Sequence, residues 1–151
     1  MTTRDQEPAS TVSLAIEVVL VPVTDVDVAL AYYTERVGFH LDVDYQPMPD
    51  FRVVQLTPPG SACSIQLVKA DSSGRRCQLF LVTTDLAETR GKLIARGVVV
   101  GDVRHKQPFD AWAGGWSPGL DIQRRDYASF ADFEDPDGNI WTLQERGFRK
   151  A

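Results

Sequence analysis

Two histidines, three tryptophans and a scatter of carboxylates are the groups whose types admit chemistry in this chain. His40 stands with Asp42 and Asp44 at alternate positions of HLDVDY. Alternation along a strand puts these three on one side, opposite Leu41, Val43 and Tyr45. An imidazole beside carboxylates is a proton-transfer group, and the same pattern also suits a solvated strand face. His105 stands beside Arg104 and Lys106 where a long loop begins. It is either an acid–base group at a cavity mouth or an exposed loop side chain. The stretch AWAGGW carries Trp112 and Trp116. Glycine supplies mobility and tryptophan a flat apolar face, so the pair either closes over an aromatic ligand or pins the loop to the surface or to a second subunit. Arg52 offers a planar fork for an anionic group. Asp121, Arg124, Arg125 and Asp126 read as a solvated, mutually paired charge cluster. DPDGN starts like a calcium loop but lacks the later spaced acids, so it reads as a turn.

The elements that must position these groups come in two copies. VVLVPVTD at Val18–Asp25 and QLFLVTTD at Gln78–Asp85 are apolar runs ending in Thr-Asp. Each leads into a helical stretch, closing on RVG in the first copy and RGV in the second. Internal repetition fixes architecture more firmly than a single motif. The first copy predicts a strand over about 13–23, a helix capped by Thr24 or Asp25 and ended by Gly38, then strands FHLDVDY, FRVVQLT and ACSIQLV. The second predicts strand CQLFLVT, a helix over 86–96 ended by Gly97, strand VVVGDVR, a loop from His105 to about Arg125, and strands YASFADF and IWTLQE. Each module is therefore βαβββ, and the fold class is α+β. Two modules side by side form a concave, partly open, barrel-like sheet. Module one spans about 13–69 and module two about 76–146, within one domain over 13–151 that follows a mobile tail at 1–12.

Length and composition bound the partners. A chain of 151 residues can bury one substantial core. A net charge of −5 argues against a basic nucleic-acid footprint. No apolar run reaches the roughly 18 residues that a membrane span needs. Cys63 and Cys77 make no disulfide framework or zinc spacing, which points to the reducing cytoplasm.

VPVTDVDVALAYYTERVGF and FEDPDGNIWTL resemble the vicinal-oxygen-chelate superfamily, which groups glyoxalase I, extradiol dioxygenases, fosfomycin-resistance transferases and bleomycin-resistance proteins. The likeness runs from about Leu14 to Glu145. In metal-using members, the first strand of each module gives a ligand seven residues before the helix-opening Asp, and the last strand gives a Glu. Carried onto this chain, the four positions are Val18, Gln66, Gln78 and Thr142. A divalent catalytic metal wants imidazole or carboxylate donors, and this set has neither. The expectation is a member without metal or other cofactor. Glu17 and Glu145 lie an odd step away and should face the other side, unless a β-bulge swaps them.

Alternation from the four positions puts Leu20, Ser64, Phe80 and Gln144 on the same inward side. Phe130 and Asp132 share the register that contacts ligand in fosfomycin-resistance relatives. Leu20, Phe80 and Phe130 also read as plain core. Gln66, Gln78 and Asp132 are polar groups that need partners when buried, either a ligand or one another. Cys63 and Cys77 should face the helices. The resemblance implies a homodimer. Two functions follow. The first is a metal-independent small-molecule binding protein for an amphipathic or aromatic compound. The second is an enzyme of the same superfamily, a lyase, isomerase or glyoxalase-like catalyst, with Asp132, His40 or His105 as acid or base.

Overall fold

The two Thr-Asp steps begin helices, as their chemistry requires. In the computed structural model, which describes residues 12–71, 74–110 and 115–150, Asp25 Oδ1 accepts from Val28 N at 3.1 Å and Asp85 Oδ1 from Glu88 N at 3.0 Å. Each carboxylate satisfies an otherwise free donor at a helix start. Helix α1 runs Val26–Ala31 and widens into a π-helical stretch, Tyr32–Val37; α2 runs Leu86–Ala95. Gly38 and Gly97 follow the two helices with φ of +89° and +93°, the left-handed region that glycine enters without penalty. Gly97 also lets Arg36 approach, since a Cβ there would meet Nη1 at 2.5 Å.

Among the described residues, nine strands form two mixed sheets: β1 (Val18–Val23), β2 (His40–Met48), β3 (Phe51–Thr57), β4 (Ser64–Lys69), β5 (Gln78–Thr83), β6 (Arg104–Lys106), β7 (Trp116–Pro118), β8 (Ser129–Glu134) and β9 (Ile140–Glu145). The first sheet has the order β1-β4-β3-β2 and the second β5-β9-β8-β6-β7. In both, the module's first strand pairs in parallel with its last. The barrel is not closed, and the α+β class with paired βαβββ modules stands. The long loop is shorter than the sequence implies, because β6 and β7 pair as a hairpin within it. Residues 13–17 lie outside β1, and VVVGDV contributes only the bridge Val100–Phe133 before β6.

One face of each sheet enters a common core with the helices. Val21, Val23, Val54, Leu56, Ile65 and Leu67 come from the first sheet, and Ala131, Phe133, Trp141 and Leu143 from the second. DPDGN clamps the modules together here. Asp135 accepts from Tyr33 Oη at 2.6 Å, from Asn139 Nδ2 at 2.8 Å and from the backbone of Asp137 and Asn139. Asn139 then donates to Pro22 O of β1 and accepts from Cys77 N before β5, both at 2.8 Å. Burial, with help from the Asp135 charge, raises the Tyr33 hydroxyl far above its ordinary value, so it stays a donor. Trp141 Nε1 completes the network by donating to Tyr33 Oη at 2.9 Å.

The charge cluster at 121–126 is paired and only partly solvated, since Asp126 stays exposed while Asp121 does not. Asp121 is buried, and Arg125 grips it through both guanidinium bonds, which hold its carboxyl down to about 2. Arg124 reaches inward to Glu145, which is 0% exposed.

Candidate functional site

The sheet faces turned away from the core form a grid. Strand register sets three rows on the first sheet. Val18, Ser64, Thr57 and His40 form the first row, and Leu20, Gln66, Gln55 and Val43 the second. Pro22, Val68, Val53 and Tyr45 form the third. On the second sheet the rows are Gln78, Ile140 and Glu134, then Phe80, Thr142 and Asp132, then Val82, Gln144, Phe130, Arg104 and Pro118. The two faces adjoin where Cys77 Sγ lies 3.5 Å from Leu20 O. Cys77 itself is half-buried ahead of β5.

These faces are apolar yet open. Leu20 is 55% exposed and Phe80 56%, with Val18, Val43, Val68 and Val82 also exposed. Phe130 is covered instead, because Trp116 packs edge-on against it at 5.3 Å. Arg104 lies over the Trp116 ring at 4.9 Å and bonds Asp132 through Nη1 at 3.1 Å. So Trp116, Phe130 and Asp132 come together, and Arg104 joins them. The sequence reading missed Arg104; its alternation with His105 on a short strand was the available signal. An open hollow of about 920 Å³ lies at the end of the first sheet, between the start of α1 at Thr24–Asp27 and the strand residues Phe51, Val53, Leu20, Gln66 and Val68.

Three of the other candidates sit differently from the sequence pattern. Arg52 alternates with Val54 and Leu56 onto the helix side, at the rim of the hollow. Its guanidinium is committed to Asp44 at 3.0 Å and Asp27 at 2.7 Å, which leaves no free fork for an anion. A β-bulge between Leu41 and Val43 splits the β2 triplet. His40 and Asp42 stay with the inner face, Asp44 turns to Arg52, and Val43 and Tyr45 turn inward. His105 pairs with Ser129 and Ser117, out of register with Arg104, and its Nδ1 lies 2.8 Å from Gly119 O. It therefore faces away from the grid. Trp112 and residues 1–11 lie outside the described residues.

The four positions where a metal would be held carry Val18, Gln66, Gln78 and Thr142 on the inner faces. Gln78 Nε2 donates to Thr142 Oγ1 at 3.4 Å, and Thr142 is 2% exposed. A hydrocarbon, two neutral amides and a hydroxyl do not fit a divalent ion, because no donor compensates its charge. No bulge rescues an acid in β9. Glu145 stays on the core side, where Arg124 and Leu86 N occupy its oxygens. Glu17 is exposed ahead of β1.

This architecture has counterparts. A family model described as the Glyoxalase/Bleomycin resistance protein/Dioxygenase superfamily matches residues 15–143. The chain belongs to that superfamily. Among curated proteins, an uncharacterized protein of Shewanella frigidimarina is 30% identical over 133 residues, covering 80% of this chain and 85% of the relative. Among solved structures, TnmS3, an antibiotic binding protein from Streptomyces sp. CB03234, has a TM-score of 0.65 at 28% identity over 90% of this chain and 98% of its own. A glyoxalase/bleomycin resistance protein from the same Streptomyces has a TM-score of 0.62 at 29% identity, over 87% and 100%. This member of the superfamily lacks the usual metal ligands. Among the described residues, no helix is long and apolar enough to cross a membrane.

Proposed function

We propose that the protein binds an amphipathic or aromatic small molecule on the inner sheet faces, without a metal ion, in the reducing cytoplasm. The observation that carries this reading is the Arg104–Trp116–Phe130–Asp132 cluster. A cation held over a ring by its own carboxylate is a rigid, half-desolvated platform for a flat ligand. Phe80 shares a row with Thr142 and Asp132, Leu20 adds exposed apolar surface on the first sheet, and Gln66, Gln78 and Gln144 supply orienting amides. The likeness to an antibiotic binding protein supports the same class of ligand. Calorimetry in chelator-containing buffer, against glycopeptide and planar aromatic antibiotics, is expected to give saturable heat. Trp116→Ala should weaken that binding about tenfold, the upper range of one aromatic contact. A panel without heat would sink the proposal.

The protein acts as a homodimer in this reading. All nine residues of the edge strand β2 are exposed, including Tyr45 and Met48, and a bare edge of that length invites pairing. Sedimentation at micromolar concentration should give twice the mass of one chain; a single monomeric species would refute it.

A further inference from the structure

The first row of the inner grid is a directed chain of hydrogen bonds. Thr57 Oγ1 donates to Asp42 Oδ2, and Thr57 Oγ1 and Ser64 Oγ are 2.7 Å apart. His40 Nε2 lies 3.7 Å from the other carboxylate oxygen, Oδ1. A carboxylate only accepts, and a hydroxyl has one proton. The Thr57 proton is spent on Asp42, so Thr57 accepts from Ser64 and the Ser64 proton is spent in turn. Both hydroxyls then offer the inner face only lone pairs. Ser64 is 6% exposed and lies at the floor of the row, beside Val18. The bulge in β2 is what brings Asp42 to this side.

We propose that this row is a subsite that accepts a hydrogen bond from an aromatic hydroxyl of the ligand, a deepening that rests on the binding function above. Val18, Leu20 and Val43 flank it with partly exposed hydrocarbon against which an aromatic ring can pack. A carbonyl or ether oxygen in the same place would meet lone pairs alone and is rejected. The row thus sets both the direction and the chemistry of recognition.

Phenol and anisole, titrated separately into the full chain and followed by amide NMR, test this. They share a ring, and only phenol has a donor. Phenol should bind about fivefold more tightly, the range of one net hydrogen bond, with shifts at Val18, Thr57 and Ser64. Thr57→Val should erase the preference, because Ser64 is then free to donate. If Thr57→Val does not fold, Asp42→Ala decides by the same comparison, because the Thr57 proton is then no longer held by a carboxylate and the row can donate as well as accept. Equal binding of both probes to the inner face of the wild type overturns the subsite and leaves the binding function standing. No inner-face shift with either probe overturns both.

Discussion

Arg124→Met is expected to destabilise the fold by roughly 3–5 kcal/mol, the usual cost of leaving a buried charge without its partner. Glu145 is fully buried, and both its oxygens accept from Arg124, with Oε2 also accepting from Leu86 N at 2.8 Å. With Arg124 gone, Glu145 is a desolvated anion held at the start of α2. The helix N-terminus compensates only part of that charge. Arg124 also lies 3.5 Å from the centre of the Phe148 ring, so its removal loosens the chain end. The double variant Arg124→Met/Glu145→Gln should recover most of the loss, since a neutral amide can still accept from Leu86 N. Urea unfolding of the wild type, Arg124→Met, Glu145→Gln and the double variant at neutral pH checks this. A double variant as unstable as the sum of the single changes would show that packing, not the orphaned charge, accounts for the effect. Arg124 and Tyr127 both hold positive φ, +52° and +60°, and their loop stays in that shape because Tyr127 N donates to Glu145 O at 2.8 Å.

Asn139→Ala should cost a similar amount, roughly 3–5 kcal/mol, because it strips partners from several buried groups at about 1–3 kcal/mol each. Cys77 N loses its acceptor, Pro22 O loses its donor, and Asp135 loses one of its bonds. All three losses fall where module one meets module two. Thr24→Val removes an exposed bond to Asp137 Oδ1 at the same junction, and should cost under about 1 kcal/mol. Thermal unfolding of both variants separates the cases. Equal, small effects would mean that the modules hold together through apolar contact alone.

The fate of DPDGN shows where sequence reading stops. Its residues form a turn, as their types demand, with Gly138 at φ +84°. That Asn139 spans to β1 and to Cys77 depends on partners 117 and 62 residues away, and no local pattern carries such distances. The cluster at 121–126 is similar. Its charges pair as expected, but Arg124 chooses Glu145, a residue that strand alternation only placed on the core side.

At the site, period-two alternation was enough to bring Gln66, Gln78, Phe80, Phe130, Asp132, Thr142 and Gln144 onto inner faces, because an unbroken strand has only two sides. It failed in β2, where one extra residue at the bulge sends Asp44 to Arg52 and keeps Asp42 with Thr57. A bulge leaves no mark in composition. The position of Arg104 over Trp116 was hidden for a related reason, since β6 and β7 are three-residue strands inside what reads as a loop.

By itself, then, the amino-acid order determined the two modules, their helices and caps, the superfamily, and the absence of acid or imidazole donors at its four ligand positions. The modules, helices and caps follow from periodicity and residue type, which are local, while the superfamily and its four ligand positions follow from the resemblance of two motifs. Tertiary structure decided which charges are buried in pairs, which side Asp42 and Asp44 take, and that Arg104 completes the aromatic cluster. Those outcomes depend on contacts between distant segments, where the cost of burying an unpaired polar group selects among arrangements that local rules leave equal.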